Sequence, residues 1–182
     1  KVIAPNGERV LLHASNFRKL KRVTDVVQIF YQVNQQLPSK LLFVGDGPER
    51  QSAEELCRRL NVCENVSFVG KQEQMEDILA IADLFLLPSE YESFGLVALE
   101  AMAAGVPVVS TNVGGLTEIN IQGHTGYMAD IGDVDEMSRY ALEILKDETV
   151  LKKFKENAAA HAKQFDIHHI IPHYEKLYER FL

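Results

Sequence analysis

Two carboxylates eight residues apart, Glu92 and Glu100, bracket the stretch Ser93-Phe94-Gly95-Leu96-Val97-Ala98-Leu99. Glycine here lets the backbone approach something closely. Ser93 is placed to cap a helix that begins near Leu96. The N–H groups of Phe94, Gly95 and Leu96 then point into a cleft, which makes an anion pocket of the kind found at helix N-termini. Glu100 falls on the second turn, among apolar neighbours. A carboxylate there needs partners, and sugar or ribose hydroxyls would serve; the plainer alternative is an exposed or salt-bridged helix residue. As acid and nucleophile, the same two glutamates would suit glycoside hydrolysis. That reading leaves a second group of residues without a task. Arg18, Lys19, Lys21 and Arg22 put four cations into five residues, at the start of a helix near Arg22. Cations there oppose the positive end of the helix dipole, at a cost of about a few tenths of a kcal/mol each. A bound phosphate would relieve the conflict. Lys21 is the stronger phosphate candidate and Arg18 the weaker, with Lys19 and Arg22 expected to face solvent. A charge run can also be no more than a solvated surface.

The elements that must hold these residues follow from apolar periodicity. Val10-Leu11-Leu12 within Arg9 to Ser15, Leu41 to Val44, Val66 to Val69, Leu84 to Leu87 and Pro107 to Ser110 read as buried strands. Between them, helical spacing runs from Val23 to Leu37 with Pro38 as the stop, then over Glu49 to Leu60, Glu73 to Ala82 and Leu96 to Ala104. The remainder reads as mostly helical: Val134 to Lys146, Val150 to Gln164 and about Ile170 to Phe181. Continuous apolar strands alternating with helices predict a single α/β domain, a Rossmann-like, doubly wound parallel sheet covered on both faces. Such sheets bind ligands beyond the carboxyl ends of their strands. Ser15-Asn16, Gly45-Asp46-Gly47, Gly70-Lys71, Pro88-Ser89-Glu90 and Thr111-Asn112 all gather on that edge.

Composition narrows the classes. The 182 residues are 46% hydrophobic and 25% charged, enough to bury one substantial core. No apolar run reaches the roughly 18 residues of a membrane span. A net charge of -7 argues against a nucleic-acid binder. Cys57, on a helix, and Cys63, in the next turn, imply neither disulfide nor metal, and a cytoplasmic setting is expected. Asp130-Ile131-Gly132-Asp133 reads as a loop in which Asp133 caps the helix at Val134, rather than as a metal motif. Lys1 to Gly7 lacks the features of a signal peptide and reads like the middle of a longer chain.

An ordered set of motifs resembles the family 4 retaining glycosyltransferases. Pro88-Ser89, Glu92 and Glu100 with Ser-Phe-Gly-Leu between them, and the following Ala-Met-Ala-Ala-Gly-Val-Pro-Val-Val are similar to that family's signature. Val44-Gly45-Asp46-Gly47-Pro48 resembles its glycine turn, and Val69-Gly70 its strand end near the nucleotide base. Gly114-Gly115-Leu116-Thr117-Glu118 and Gly123-His124-Thr125-Gly126 resemble its later loops. His13 to Val23 is more narrowly similar to the enzymes that join N-acetylglucosamine to L-malate in bacillithiol synthesis. Asn16 stands where most of the family has an arginine, with Arg18 as a possible substitute.

The resemblance implies a GT-B fold and transfer of a sugar from a nucleotide with retention at the anomeric carbon. UDP-N-acetylglucosamine is the implied donor and L-malate the implied acceptor. Neither a metal nor any other cofactor is implied. Lys21 would neutralise the diphosphate with the N–H groups of Phe94, Gly95 and Leu96, in a pocket shared by Asn16, Arg18, Gly45 and Ser93. Glu92 would hold the transferred sugar, Glu100 the ribose, and backbone near Lys71 the base; Glu92 and Lys21 are the catalytic candidates. By the same resemblance, residues 1–182 form the C-terminal, nucleotide-sugar-binding domain. An N-terminal acceptor domain would lie elsewhere, and the helix near residues 170–181 would pack on it, leaving the isolated domain nearly inactive. Transferases acting on polysaccharide or glycolipid, and a non-catalytic nucleotide-binding or assembly module, are the alternatives.

Overall fold

Successive residues of the central strands point to opposite faces, and the sequence loads both faces. Leu11, Leu84 and Leu86 face one core with Phe17, Phe30, Phe43 and Ile144. Leu12, Phe85 and Leu87 face the other with Ala98, Met102 and Ile119. Each large apolar side chain so buried contributes about 1.5–3 kcal/mol relative to exposure. A computed structural model describes residues 3–165. The helix expected near 170–181 lies outside the described residues.

The strands are β1 (Arg9–Ser15), β2 (Ser39–Gly45), β3 (Val66–Gly70), β4 (Leu84–Leu87), β5 (Val108–Thr111) and β6 (Gly126–Ala129). They form one parallel sheet in the order β3-β2-β1-β4-β5-β6. Helices α1 (Val23–Asn34), α2 (Arg50–Arg59) and α6 (Val134–Leu145) cover the first core. The second is covered by α3 (Met75–Leu79), α4 (Leu96–Ala103) and α5 (Leu116–Ile119). Helix α7 (Glu148–Ala162) serves both, with Leu151 and Phe154 in the first and Ala158 and Ala162 in the second. Asp83 ties it to the sheet by accepting from Lys155 Nζ (2.8 Å) and from the Val10 amide (3.0 Å). The expected doubly wound α/β fold is present. Among the described residues, no helix is long and apolar enough to cross a membrane.

Several boundaries differ from expectation for local reasons. Helix α1 stops at Asn34, short of Pro38, because the Asn34 side chain accepts the Ser39 amide at 3.1 Å and turns the chain into β2. The helix expected over Glu73 to Ala82 shrinks to α3, since Gln74 enters with φ -103° and ψ 76° and the exit tightens into Ile81-to-Ile78 and Ala82-to-Leu79 bonds. Strand β3 is an edge strand with Ser67 and Val69 exposed, so the sheet is not covered throughout. Helix α5 and strand β6 interrupt a region expected to be loops and helices. β6 is held by pairing with β5 and by buried Asn120, whose side-chain amide donates to Val108, Ser110 and Tyr127. Cys57 is buried on α2, Cys63 is exposed in the following turn, and both are free. Asp133 caps α6 as expected, accepting the Glu136 amide at 2.9 Å.

Candidate functional site

The chain order reverses between β1 and β4, and open α/β sheets bind ligands at that point. Past it lies a cleft of about 500 Å³, within the range of small-molecule sites. Ala14 and Ser15 at the end of β1 with Asn16 just beyond it, Val44 and Gly45 at the end of β2, and Lys71 and Gln72 after β3 form its wall, with Lys21, Met75 and Val97. Four expected donor-binding residues therefore meet in one cleft: Asn16, Lys21, Gly45 and Lys71. Asn16 and Lys71 are exposed. Gly45 has φ +109°, and a Cβ there would stand 1.8 Å from the Ser15 carbonyl oxygen. Only glycine lets β2 end so close to β1 in that conformation.

Two loops clasp each other beside the cleft; the first lines it through Lys21, whereas Glu92, Ser93, Phe94, Gly95 and Leu96 stand outside its wall. The first is a 3-10 turn, Lys19–Lys21, followed by Arg22. The second follows β4 and carries Ser89 to Phe94. Lys21 Nζ forms an ion pair with Glu92 Oε1, with side-chain exposures of 16% and 11%. The Ser89 hydroxyl donates to the same carboxylate oxygen at 3.0 Å. Thr111 Oγ1 holds the Ser89 carbonyl at 2.5 Å, and the Gly115 amide donates to the Glu92 carbonyl at 3.0 Å. The Glu90 amide donates to the Leu20 carbonyl at 2.8 Å.

Arg22 corrects the expectation of a solvent-facing cation. Its backbone is left-handed (φ 49°, ψ 47°). Its side chain bridges buried Asp25 at 2.6 Å and Glu90 at 2.8 Å. The Asp25 hydrogen bond raises the Arg22 pKa above its ordinary value. Three of the four cations thus part ways: Lys21 turns to Glu92, Arg22 braces the two loops, and Lys19 stays exposed. Arg18 is exposed and stands outside the cleft wall.

The expected Ser93 cap is also corrected. The residue preceding α4 is Gly95 (φ 87°, ψ 39°), and no side chain caps the helix. Left-handed backbone at Gly95 turns the chain sharply into α4, so the exposed Ser93 sits too early to reach the first-turn amides. Those amides, Leu96 and Val97 included, have no intrahelical carbonyl to meet. Phe94 and Leu96 are 42% and 61% exposed beside them. Glu100 is exposed, one turn beyond Val97, in a depression with Met75 and Leu79 that adjoins the main cleft. The structure thus does not bury Glu100 among apolar neighbours, because α4 turns Ala98, Ala101 and Met102 to the core instead.

Sequence reasoning placed Ser15 on the ligand edge but did not single out Ala14, Val44, Gln72, Met75 or Val97 as cleft residues. Met75 and Val97 carried a signal: each is an apolar residue in the first turn of its helix that the core does not bury. His13 carried none. It is wholly buried, its Nδ1 2.9 Å from the Leu86 carbonyl and its Nε2 2.8 Å from the Ser15 hydroxyl. Burial lowers its pKa to about 4, and the Lys21 charge acts in the same direction.

Comparison with known proteins adds a second line. Residues 1–161 match the family described as glycosyl transferases group 1. Over 173 residues the chain is 45% identical to the N-acetyl-alpha-D-glucosaminyl L-malate synthase of Bacillus anthracis, covering 94% of this chain and 45% of that protein. It is 33% identical to the 2-deoxystreptamine N-acetyl-D-glucosaminyltransferase of Niallia circulans, covering 82% of this chain and 40% of that one. Among solved structures, Anabaena Alr3699/HepE in complex with UDP superposes with a TM-score of 0.88 at 26% identity, covering 95% of this chain and 49% of that chain. The chain spans about half the length of the relatives it matches, or less.

Proposed function

The chain belongs to the group 1 glycosyl transferases, and we propose that it is the domain that holds the nucleotide-sugar donor. We further propose that the sugar is N-acetylglucosamine carried on UDP and that the acceptor is L-malate. The observation that carries the reading is the ion pair between Lys21, which lines the switch-point cleft, and Glu92, distant in sequence, beside it. The 45% identity to the malate synthase supports the choice of sugar and acceptor.

In this reading the donor lies with its base toward Lys71, its ribose toward Glu100 and its diphosphate over Lys21. Met75 and Val97 offer an apolar wall between base and diphosphate. Glu92 accepts hydrogen bonds from hydroxyls of the transferred sugar. As the anomeric bond breaks, positive character develops on the sugar and negative charge on the departing diphosphate. The Lys21 ammonium and the first-turn amides of α4 are fixed in advance where that charge grows, which is where they lower a barrier most. Glu92 and Glu100 are then grips on the donor, and a glycosidase-style pairing of acid with nucleophile is set aside. Free Cys57 and Cys63 agree with a cytoplasmic reaction.

The acceptor site belongs, in this proposal, to a second domain, which accords with the fraction of each relative that the chain spans. The chain alone should therefore bind UDP and UDP-N-acetylglucosamine, read by thermal stabilisation, and transfer almost nothing to malate. Efficient transfer to malate by the 182-residue chain would overturn the division of labour. Lack of stabilisation by any nucleotide would overturn the donor-binding role and favour an assembly module.

A further inference from the structure

Strands β1 and β4 pair only at Leu11 with Leu84 and Leu12 with Phe85. The next residues, His13 and Leu86, lie where the two strands part to open the cleft. Parting leaves the Leu86 carbonyl without a β1 amide, inside the core. The His13 ring fills that gap. A carbonyl only accepts, so Nδ1 carries the proton and donates to Leu86 at 2.9 Å. Nε2 is then an acceptor, and the Ser15 hydroxyl donates to it at 2.8 Å. Ser15 Oγ in turn accepts the Phe17 amide at 3.2 Å. Phe17 is buried in left-handed backbone (φ 38°), a conformation that persists only where its surroundings enforce it. Phe17 and Phe43 pack on the imidazole, with ring centroids at 6.1 Å and 5.6 Å. A continuous chain thus runs from the Leu86 carbonyl through His13 and Ser15 to the turn that presents Asn16 and leads to Lys21.

We propose that His13 is a positioning residue for the diphosphate part of the donor, fastening β1 to β4 at their parting and fixing the Ser15–Phe17 turn. It touches no substrate; it acts through Ser15. The low pKa of about 4 keeps the ring neutral at working pH, so one tautomer holds both bonds. The imidazole also uses the Ser15 hydroxyl proton, which leaves Asn16 and Lys21 as the cleft's donors toward an anion on this side.

The inference rests on the donor-binding reading, and its test separates the two. UDP and uridine are titrated into the 182-residue chain and its variants, with binding followed by chemical-shift changes. His13→Phe keeps an aromatic ring against Phe17 and Phe43 and removes both hydrogen bonds. The expected result is about tenfold weaker UDP binding with uridine binding unchanged. Ser15→Ala should match it, and the double variant should be no worse than either alone, since all act on one chain of bonds. If His13→Phe does not fold, the smaller changes decide. His13→Gln can still accept from Ser15 through Oε1, and so keeps more UDP affinity than His13→Asn, which can reach only Leu86. Equal loss of UDP and uridine, unchanged UDP affinity in folded His13→Phe, or additive effects of the two substitutions would each overturn the proposal. No binding of either ligand to the unsubstituted chain would instead defeat the donor-binding reading, and this inference with it.

Discussion

Glu92 holds Lys21 in an ion pair, and in the proposed donor complex the diphosphate would draw on the same cation. Replacing it with glutamine therefore separates the two tasks assigned to it. The Lys21 and Glu92 side chains are 16% and 11% exposed, so solvent screens their attraction incompletely. At an effective dielectric of about 20, opposite unit charges at about 4 Å attract by about 4 kcal/mol. Desolvation of both groups offsets most of this, leaving a net value of about 1–2 kcal/mol for the pair. Glu92→Gln removes that competitor and also takes a negative charge from beside the phosphates. UDP affinity should then rise by about 5–30-fold. Calorimetric titration measures it directly, and the gain should shrink at high salt as screening grows. UDP-N-acetylglucosamine should gain less than UDP, because glutamine is a weaker acceptor for the sugar hydroxyls than a carboxylate. Thermal melting checks that the variant stays folded. A folded Glu92→Gln protein that binds UDP no better, or more weakly, would refute the argument that Lys21 is the shared cation.

Further outcomes follow from the same geometry. Lys21→Ala should weaken UDP binding by about 10–100-fold, whereas Glu100→Gln, at an exposed position, should change it far less; small, equal effects in the two titrations would remove the phosphate role of Lys21. Gly45→Ala should lower stability by about 2–4 kcal/mol, since its Cβ would fall 1.8 Å from the Ser15 carbonyl oxygen at φ +109°; an unchanged denaturant midpoint would contradict the close approach of β1 and β2. His13 should give the protein an acid sensitivity. Its folded pKa of about 4 lies below the ordinary 6.5, so the unfolded chain binds more protons in between. The associated stability is complete above pH about 6.5 and falls as pH drops toward about 4, by up to about 3 kcal/mol. Denaturation measured across that window should be flatter for His13→Phe than for the parent chain, and parallel curves would show that burial of His13 carries no such linkage.

The parallel sheet was legible because its strands are runs such as Leu41-Leu42-Phe43-Val44, which only a sheet covered on both sides can bury. The edge that carries the cleft was legible from the polar and glycine residues that end those runs. Strand β6 was not, since Gly126-Tyr127-Met128-Ala129 has no β-branched residue and depends on pairing with β5 and on the Asn120 side chain. The cation run pointed to a loop that reaches the cleft through Lys21. Its division among Lys21, Arg22 and Lys19 was hidden, because the deciding partners, Glu92 and Glu90, lie on a loop distant in sequence. Ser93 had the residue type of a cap, but the left-handed turn at Gly95 took the cap position away. His13 was invisible for a related reason: one histidine in an apolar strand says nothing until the parting of β1 and β4 exposes a carbonyl for it to meet.

The central claim is that the switch-point cleft is a site for a uridine diphosphate sugar, and calorimetric titration of the chain with UDP, GDP, ADP and UDP-N-acetylglucosamine tests it most directly. The account predicts that UDP and UDP-N-acetylglucosamine bind with one nucleotide per chain and that GDP and ADP bind distinctly more weakly. A preference for a guanine or adenine nucleotide, or no binding by any of the four, would contradict it.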